Sequence, residues 1–568
     1  MRLASPEKIK LYRDAGWWGN DTLYDLFVRG VKARGGALAA VDPSDRMDFL
    51  GDTPRRLTWI GLESEVEHFA RMFTDYGLVR GDRLLTQLPN VIEGLGVYLA
   101  CAKLGIIISP VPVQYQAFEL DKIIDSIRPS GYVITSRFKD RDIEKYYKGA
   151  GEGQPVFTAG PKSIHREFVD LSEGNVSMPE RLKGAQVCGS GFRHSVDADD
   201  CFSITWTSGT TGTPKGVPRS HNHWLSVAPV TYDAMSIQEH DILLNPFPMT
   251  NMAAIGGMFV SWLISQGTLI LHHPFDVALF LGQLASENVD ATIAAPAVLT
   301  AILKNPNFFK EFDLSCLRVV GSGSAPLSEY MVKGWQERGV EIVNLFGSNE
   351  GVSLATGPEE SRDPAQRATR FPRFGYEHAS FSNRMHLSMK TKIVSQDGER
   401  VIDTPGTVGE LLVMGPAVFE GYWGESAQEH ASLFDQDGFF RTGDLFMVDP
   451  VDEKFIYFYG RSKDIIIRGG INISAVELDM LLSEYPKVLD AAVFGISDDI
   501  MGERVGVAVV PVPGETVDLQ SVKKFLESKQ IAIYKLPEHC INVDEIPRNA
   551  MGKVVRSTLK MMADEHTL

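Results

Sequence analysis

Cysteine is scarce in this chain. The 568 residues hold five (Cys101, Cys188, Cys201, Cys316 and Cys540), scattered and never spaced as CxxC. That pattern argues against a disulfide framework or a zinc site and fits a reducing compartment, the cytoplasm. No base adjoins any of them in sequence, so each reads as a small buried hydrophobe rather than a nucleophile. Long apolar runs are also missing. Nothing approaches the roughly 20 apolar residues of a membrane span, and the first residues, MRLASPEKIKLYRDAGWWGND, lack the apolar centre of a secretory signal. Positive charge is outweighed, with 56 Lys and Arg against 73 Asp and Glu and a net charge of −17. Nucleic acid and anionic membranes are gripped by clustered cations, so neither is expected as a partner. A local basic pocket for a phosphate-bearing ligand stays open. Neither an internal repeat nor a low-complexity tract is found.

What is present is alternation. Apolar, β-branched bursts precede helical patterns: DRLLTQLPN at 82–90 before VIEGLGVYLACAKLG, DATIAAPAV at 290–298 before LTAILKNP, and LRVVGSGSAPL at 317–327 before SEYMVKGWQERG. This order predicts βαβ units and largely parallel sheets with helical covers, an α/β protein. The length exceeds what one hydrophobic core usually serves, so several lobes are expected. Residues 138–200 read as a polar, Gly-rich surface excursion. After about residue 380 shorter strands and turns suggest a β-rich subdomain, and 460–568 return to an αβ pattern. The expected division is 1–459 and 460–568.

The most informative stretch is SITWTSGTTGTPKGVPRSHNH at 203–223. An apolar strand runs into Thr207, Ser208, Gly209, Thr210, Thr211, Gly212, Thr213, Pro214, Lys215 and Gly216. Glycines let backbone N–H groups turn inward, hydroxyls add donors and Lys215 adds charge, which together suit a polyphosphate. A merely solvated Ser/Thr/Gly loop is the plainer alternative, but the strand feeding it and the order of residues disfavour that. A Walker A loop needs GxxxxGK[ST], and the spacing of Gly209, Gly212 and Lys215 fails it.

This loop resembles the signature of the adenylate-forming superfamily, which spans acyl- and aryl-CoA ligases, adenylation domains and beetle luciferases. NLFGSNEGV at 344–352, GYW at 421–423, FRTGDL at 440–445, GRSKDIIIRGGINISAVELD at 460–479 and PRNAMGKVVR at 547–556 follow in the family's order. The resemblance implies a large N-terminal domain of stacked αβα layers with a β-barrel-like part, and a small, mobile C-terminal α+β domain. It implies ATP, Mg²⁺ and CoA as co-reactants. By resemblance, Glu350 is the magnesium-linked carboxylate and Lys553 the lysine that stabilises the adenylation transition state. Asp444 receives the ribose hydroxyls and Arg461 meets ribose or phosphate, with a structural salt bridge as its plainer role. Phe346, Gly347 and Ser348 border the nucleotide. Asn349 stands where many members have Thr, and its amide could still donate to a phosphate oxygen. Lys463 falls at the hinge, and Gly469 and Gly470 suit backbone beside a slim thiol-bearing arm.

The acid itself is less legible. NPFPMTNMAAIGGMF at 245–259 falls in the acyl-pocket region and contains no acidic residue for a substrate ammonium. Ser322, Gly323, Ser324 and Ala325 are expected at the pocket floor, Ser324 and Ala325 also against the nucleotide, Asn251 near a ring substituent, and Met249, Met252, Ile255 and Met258 as an adaptable lining. Core packing is an equal reading for each methionine. His272 and His273 read as turn residues. The starting LYRDAGWW, PRSHNH and FGSNEG resemble aryl-acid and cyclic-acid ligases. The expectation is therefore an acid–CoA ligase for a cyclic, aromatic or medium-chain carboxylate, with a possible homodimer. Loading of a carrier-protein phosphopantetheine is the alternative. A nucleotide sensor without turnover is disfavoured by retention of Lys215, Glu350, Asp444 and Lys553, and a luciferase-like oxidase stays conceivable.

Overall fold

The structure, a computed structural model, describes residues 1–148, 153–163, 165, 168–172, 196–207, 214–395, 398, 400–461, 464–469, 471–498, 500–549 and 553–567, without the side chains at 427, 472 and 564–567. Four main sheets organise it. The first is eight-stranded and runs Ser353–Thr356, Glu341–Gly347, Val319–Gly323, Ala291–Ala294, Ile242–Asn245, Thr268–Leu271, Leu38–Val41 and Arg56–Thr58. Its inner pairings are parallel and both edge strands are antiparallel. Strands such as Ala291–Ala294 are buried along their whole length, as continuous apolar runs demand when helices cover both faces. The second sheet has seven strands: Lys215–Ser220, Cys201–Thr207, Ile107–Pro110, Arg83–Gln87, Gly131–Thr135, Val156–Ala159 and Val169–Asp170.

One core serves both sheets. Helix Trp59–Asp75 presents Trp59, Leu62, Val66, Phe69 and Phe73 on one face, and Trp59 stacks on Trp262 at 4.9 Å between ring centroids. The expected αβα layering is present. The excursion expected over 138–200 is corrected where it is described: Val156–Ala159 and Val169–Asp170 extend the second sheet, the former fully buried. Flanking glycines hid a PVFTA strand whose apolar residues had a sheet edge to join.

The third sheet is antiparallel, with the order Arg370–Pro372, Phe455–Arg461, Phe440–Val448, Val408–Met414 and Lys390–Val394. Its two outer strands are not paired with each other, so the barrel-like part is an open, five-stranded sheet among the described residues. The fourth sheet holds Ile471–Ser474, Ile465–Arg468, Gly502–Pro511 and Val488–Asp498, with His539–Asn542 parallel to Gly502–Pro511. It closes its own small cores under helices Ala475–Ser483 and Leu519–Ser528. Among the described residues no helix is long and apolar enough to cross a membrane.

Candidate active site

Parallel strands all end on one side of a sheet, and open α/β sheets bind ligands outside those carboxyl ends. The same holds here. Strand Val319–Gly323 runs into Ser324, a non-glycine residue at φ +69°. Strand Glu341–Gly347 runs into a tight turn, in which Ser348 N donates to Val352 O (3.0 Å) and Gly351 N to Ser348 O (3.0 Å). Between these strand ends and the fourth sheet lies a cavity of about 180 Å³. Ser324, Ala325, Phe346, Gly347, Ser348, Asp444, Arg461 and Lys553 line it together. These residues were each expected at a nucleotide, and the fold gathers them from five segments spread between residues 324 and 553.

Asp444 is buried, and desolvation raises its carboxyl pKa against the opposing pull of Arg461 and Lys553. Arg461 Nε lies 3.3 Å from Asp444 Oδ1, so the plainer salt-bridge role is realised within the cavity wall itself. Phe346 joins a cluster of rings, 5.1 Å from Phe446 and 5.4 Å from Phe458 between centroids. The turn carrying Lys553 is stitched by Asn549 N to Lys553 O (2.9 Å) and Lys553 N to Asn549 Oδ1 (3.0 Å).

A second, smaller cavity of about 90 Å³ adjoins the first and shares Ser324, Phe346 and Lys553 with it. Val227, Val230, Thr231, Phe247, Asn251 and Met252 form much of its wall. Gly321 and Gly323 form the floor, whereas Ser322 points the other way, its hydroxyl donating to Ala294 O at 2.9 Å. Strand alternation excludes Ser322 from the floor it was expected to share. Ile255 and Met258 likewise belong to the core, fully buried, and only Met252 of that set reaches the cavity. Met249 lies elsewhere, lining a small space beside Tyr98. Asn251 Oδ1 accepts from Ala254 N (3.0 Å) and so also caps a local turn.

Glu350 is buried beside, rather than within, these cavities, and Tyr422 Oη donates to its Oε1 at 2.8 Å. Burial, and Glu350 next, push the Tyr422 hydroxyl well above its ordinary pKa, so it remains a neutral donor. Lys215 Nζ sits 4.5 Å over the Tyr422 ring and 3.2 Å from Glu425 Oε1. It faces the Tyr422–Glu350 pair, while Ser208, Gly209, Thr210, Thr211 and Gly212 lie outside the described residues, as do Lys463 and Gly470. Thr207 ends the strand that feeds the loop. Gly469 turns the hairpin after Ile465–Arg468 at φ +58°, its N–H donating to Met501 O (2.7 Å).

Asn349 departs from its expected use. Its Oδ1 accepts from Met252 N (2.9 Å) and its Nδ2 donates to Trp206 O (3.2 Å), so both amide ends bond main chain. It joins the Glu350 turn to strand Cys201–Thr207 and to the segment at Met252, with one of the two Nδ2 hydrogens committed to Trp206 O. Arg219, which sequence reasoning passed over inside PRSHNH, is fully buried and donates to Asn349 O (2.9 Å), His223 O (3.0 Å) and Ala417 O (2.8 Å). Burial pulls its pKa down to about 9, opposed by Glu350, so it stays cationic at neutral pH behind the Glu350 turn. Ser353 was also missed; it lines the smaller cavity with a buried hydroxyl that finds no partner among the described residues. His272 and His273 do lie in the connection after Thr268–Leu271, but buried, with His272 Nδ1 2.6 Å from Gln283 Oε1. Cys101 and Cys201 are buried as expected; Cys316 is exposed, contrary to the small-hydrophobe reading, and Cys188 lies outside the described residues.

The family model for "AMP-binding enzyme" matches residues 29–423, and that for the "AMP-binding enzyme C-terminal domain" matches residues 477–553. The chain belongs to the AMP-binding enzyme family. Among relatives of this AMP-binding enzyme, an indoleacetate–CoA ligase of Aromatoleum aromaticum is 30% identical, over 90% of this chain and 94% of that one. A medium-chain fatty-acid–CoA ligase of Escherichia coli is 26% identical, over 97% and 92%. The crystal structure of ATP-bound MatB from Rhodopseudomonas palustris superposes with a TM-score of 0.75 at 26% identity, covering 96% of this chain and 100% of that one.

Among the described residues no three His, Cys, Asp or Glu side chains converge on a metal site. A magnesium ion that keeps phosphate and water ligands needs no more than one carboxylate, and Glu350, whose Oε1 accepts from Tyr422, would be that carboxylate. Asp444→Asn tests whether the larger cavity takes the nucleotide. It keeps the shape and removes the charge, leaving Arg461 without a counter-charge. The KM for ATP should rise about tenfold to a hundredfold, the worth of one to two charge-assisted bonds, with the melting temperature little moved. An unchanged KM would remove Asp444 from the site.

Proposed function

We propose that this chain is an acid–CoA ligase that forms an acyl-AMP with release of pyrophosphate and then passes the acyl group to the thiol of CoA. The observation that carries this reading is that Lys553 and Ser324 border both cavities at once. An acid in the smaller cavity and a nucleotide in the larger would meet at that shared wall. There the carboxylate oxygen attacks the α-phosphorus, the bond to pyrophosphate breaks, and the Lys553 ammonium stabilises charge on the oxygens around phosphorus. Magnesium, when bound with ATP and Glu350, neutralises phosphate charge. In the second step the thiol sulfur attacks the acyl carbonyl, AMP leaves, and the thiol proton passes to solvent.

The apolar wall without an acid and the space of about 90 Å³ support a compact, neutral acid body over an amino acid or a very long chain. The relatives named as CoA ligases favour CoA over a carrier-protein phosphopantetheine. We take 1–459 and 460–568 as the two domains, joined at a hinge at Lys463, and the cytoplasm as their place. The strand Phe455–Arg461 belongs to the third sheet and Ile465–Arg468 to the fourth, which supports a junction in this stretch.

A screen of carboxylic acids for pyrophosphate release, with and without CoA, tests the reading. AMP and pyrophosphate should appear together and depend on the acid, and thioester should require CoA. Benzoate, cyclohexane carboxylate and medium-chain acids should overlap, because one methylene is worth only about 1–3 kcal/mol in such a pocket. ADP as the nucleotide product would overturn the assignment.

A further inference from the structure

The two parts of the chain are tied together at a point far in sequence from the junction. At the junction, Ser474 Oγ donates to Tyr459 O and Arg461 pairs with Asp444. The distant tie starts on helix Pro296–Lys304, which covers the first sheet. Its last residue, Lys304, donates from Nζ to Ser483 O (3.2 Å) and to Val488 O (2.7 Å). Ser483 ends helix Ala475–Ser483 and Val488 begins strand Val488–Asp498. One ammonium thus bridges a helix end and a strand start across the two parts.

The chemistry suits a releasable contact. The last carbonyls of a helix carry partial negative charge, and a cation there is favoured. Bonds from an ionised donor are stronger than neutral ones, yet carbonyl partners involve no buried counter-ion to strand when they part. The nearby carboxylate, Asp490, is already held by Arg548 at 3.0 and 2.8 Å. Lys304 is half-buried, and burial lowers its pKa against the attraction of Asp490.

The position also suits. Helix Ala475–Ser483 carries Asp479, which binds Arg556, and both line the nucleotide cavity with Lys553. Pinning the far end of this helix fixes the body on which Lys553 rides. Resting on the ligase reading above, we propose that Lys304 is a positioning residue for adenylation. It is a catch that holds the C-terminal part with Lys553 at the two cavities and lets go before CoA transfer.

Lys304→Met in the full chain removes the ammonium and keeps the apolar stem; Lys304→Arg keeps a donor. Acyl-AMP formation in a single turnover should fall about tenfold in Lys304→Met, while transfer from supplied acyl-AMP to CoA stays level or quickens. Lys304→Arg should restore most of the first rate. Hydrogen exchange at residues 483–490, with a non-hydrolysable ATP analogue bound, should quicken in Lys304→Met and stay near wild type in Lys304→Arg. Equal losses in both half-reactions with unchanged exchange would overturn the catch, and so would no change in either. Should the wild type adenylate no acid at all, the ligase reading falls, while the exchange comparison still decides the catch.

Discussion

Lys553→Ala should slow acyl-AMP formation by about 10²–10³-fold and leave acyl transfer from supplied acyl-AMP to CoA near the wild-type rate. Removing one preorganised donor from a site where charge develops costs about that much. The structure raises the stakes for this residue, because it borders both the nucleotide cavity and the smaller cavity. Water entering in its place would screen the same oxygens less well, since it is not held in position. The effect should be confined to one half-reaction, because Lys553 stands on the part of the chain proposed to turn away before the thiol arrives. Measuring the two half-reactions separately checks this. Equal losses in both would leave Lys553 a structural residue and remove the two-arrangement account with it.

Gly351→Ala should be nearly as damaging, through geometry rather than charge. Gly351 follows Glu350 at φ +103°, a conformation that favours glycine, and a Cβ there would lie 1.9 Å from Ala417 O. The same crossing is held by Phe419 N donating to Glu350 O (2.8 Å) and by Arg219 on Ala417 O (2.8 Å). Neither backbone is free to yield. About 1–3 kcal/mol for the strained conformation and a further 1–3 kcal/mol for the overlap should appear as a lower denaturation midpoint. The surviving folded enzyme should need more magnesium for adenylation, because the Glu350 carboxylate moves with its main chain. A variant with unchanged stability and an unchanged magnesium requirement would show that this turn does not hold Glu350 in place.

Much of this arrangement was legible before any coordinates. The βαβ alternation around 82–104, 290–304 and 317–336 matches strands and helices that lie where the bursts and periodic segments predicted them. Hydrophobic period is local information, and these segments are long enough to carry it. Eight of the residues lining the larger cavity were legible from sequence, among them Phe346 to Ser348 where a strand ends, Asp444 within strand Phe440–Val448 and Lys553 on a turn. Asn349 and Ser322 were not legible, because what an amide or hydroxyl bonds depends on segments distant in sequence, 28 residues away for Ser322 and 97 and 143 for Asn349, that no local pattern announces. Ser322 had one available clue: it lies between Gly321 and Gly323, and in a strand alternate residues face apart. Arg219 had none. A cation held by three main-chain carbonyls has no partner in sequence to betray it.

The wall shared by the two cavities has a practical consequence for redesign. A change at Ser324, Phe346 or Lys553 alters both compartments, so selectivity gained there is entangled with nucleotide affinity. Val227, Val230, Thr231 and Gly257 border the smaller compartment alone. A methyl group at Gly257 would first meet Thr231 Oγ1, at 3.6 Å, which is ordinary contact distance. The two cavities therefore divide into a shared wall, best left untouched, and a far wall that can be varied separately. On the ligase reading proposed above, libraries that vary that wall should trim or lengthen the accepted acid while the ATP requirement stays fixed.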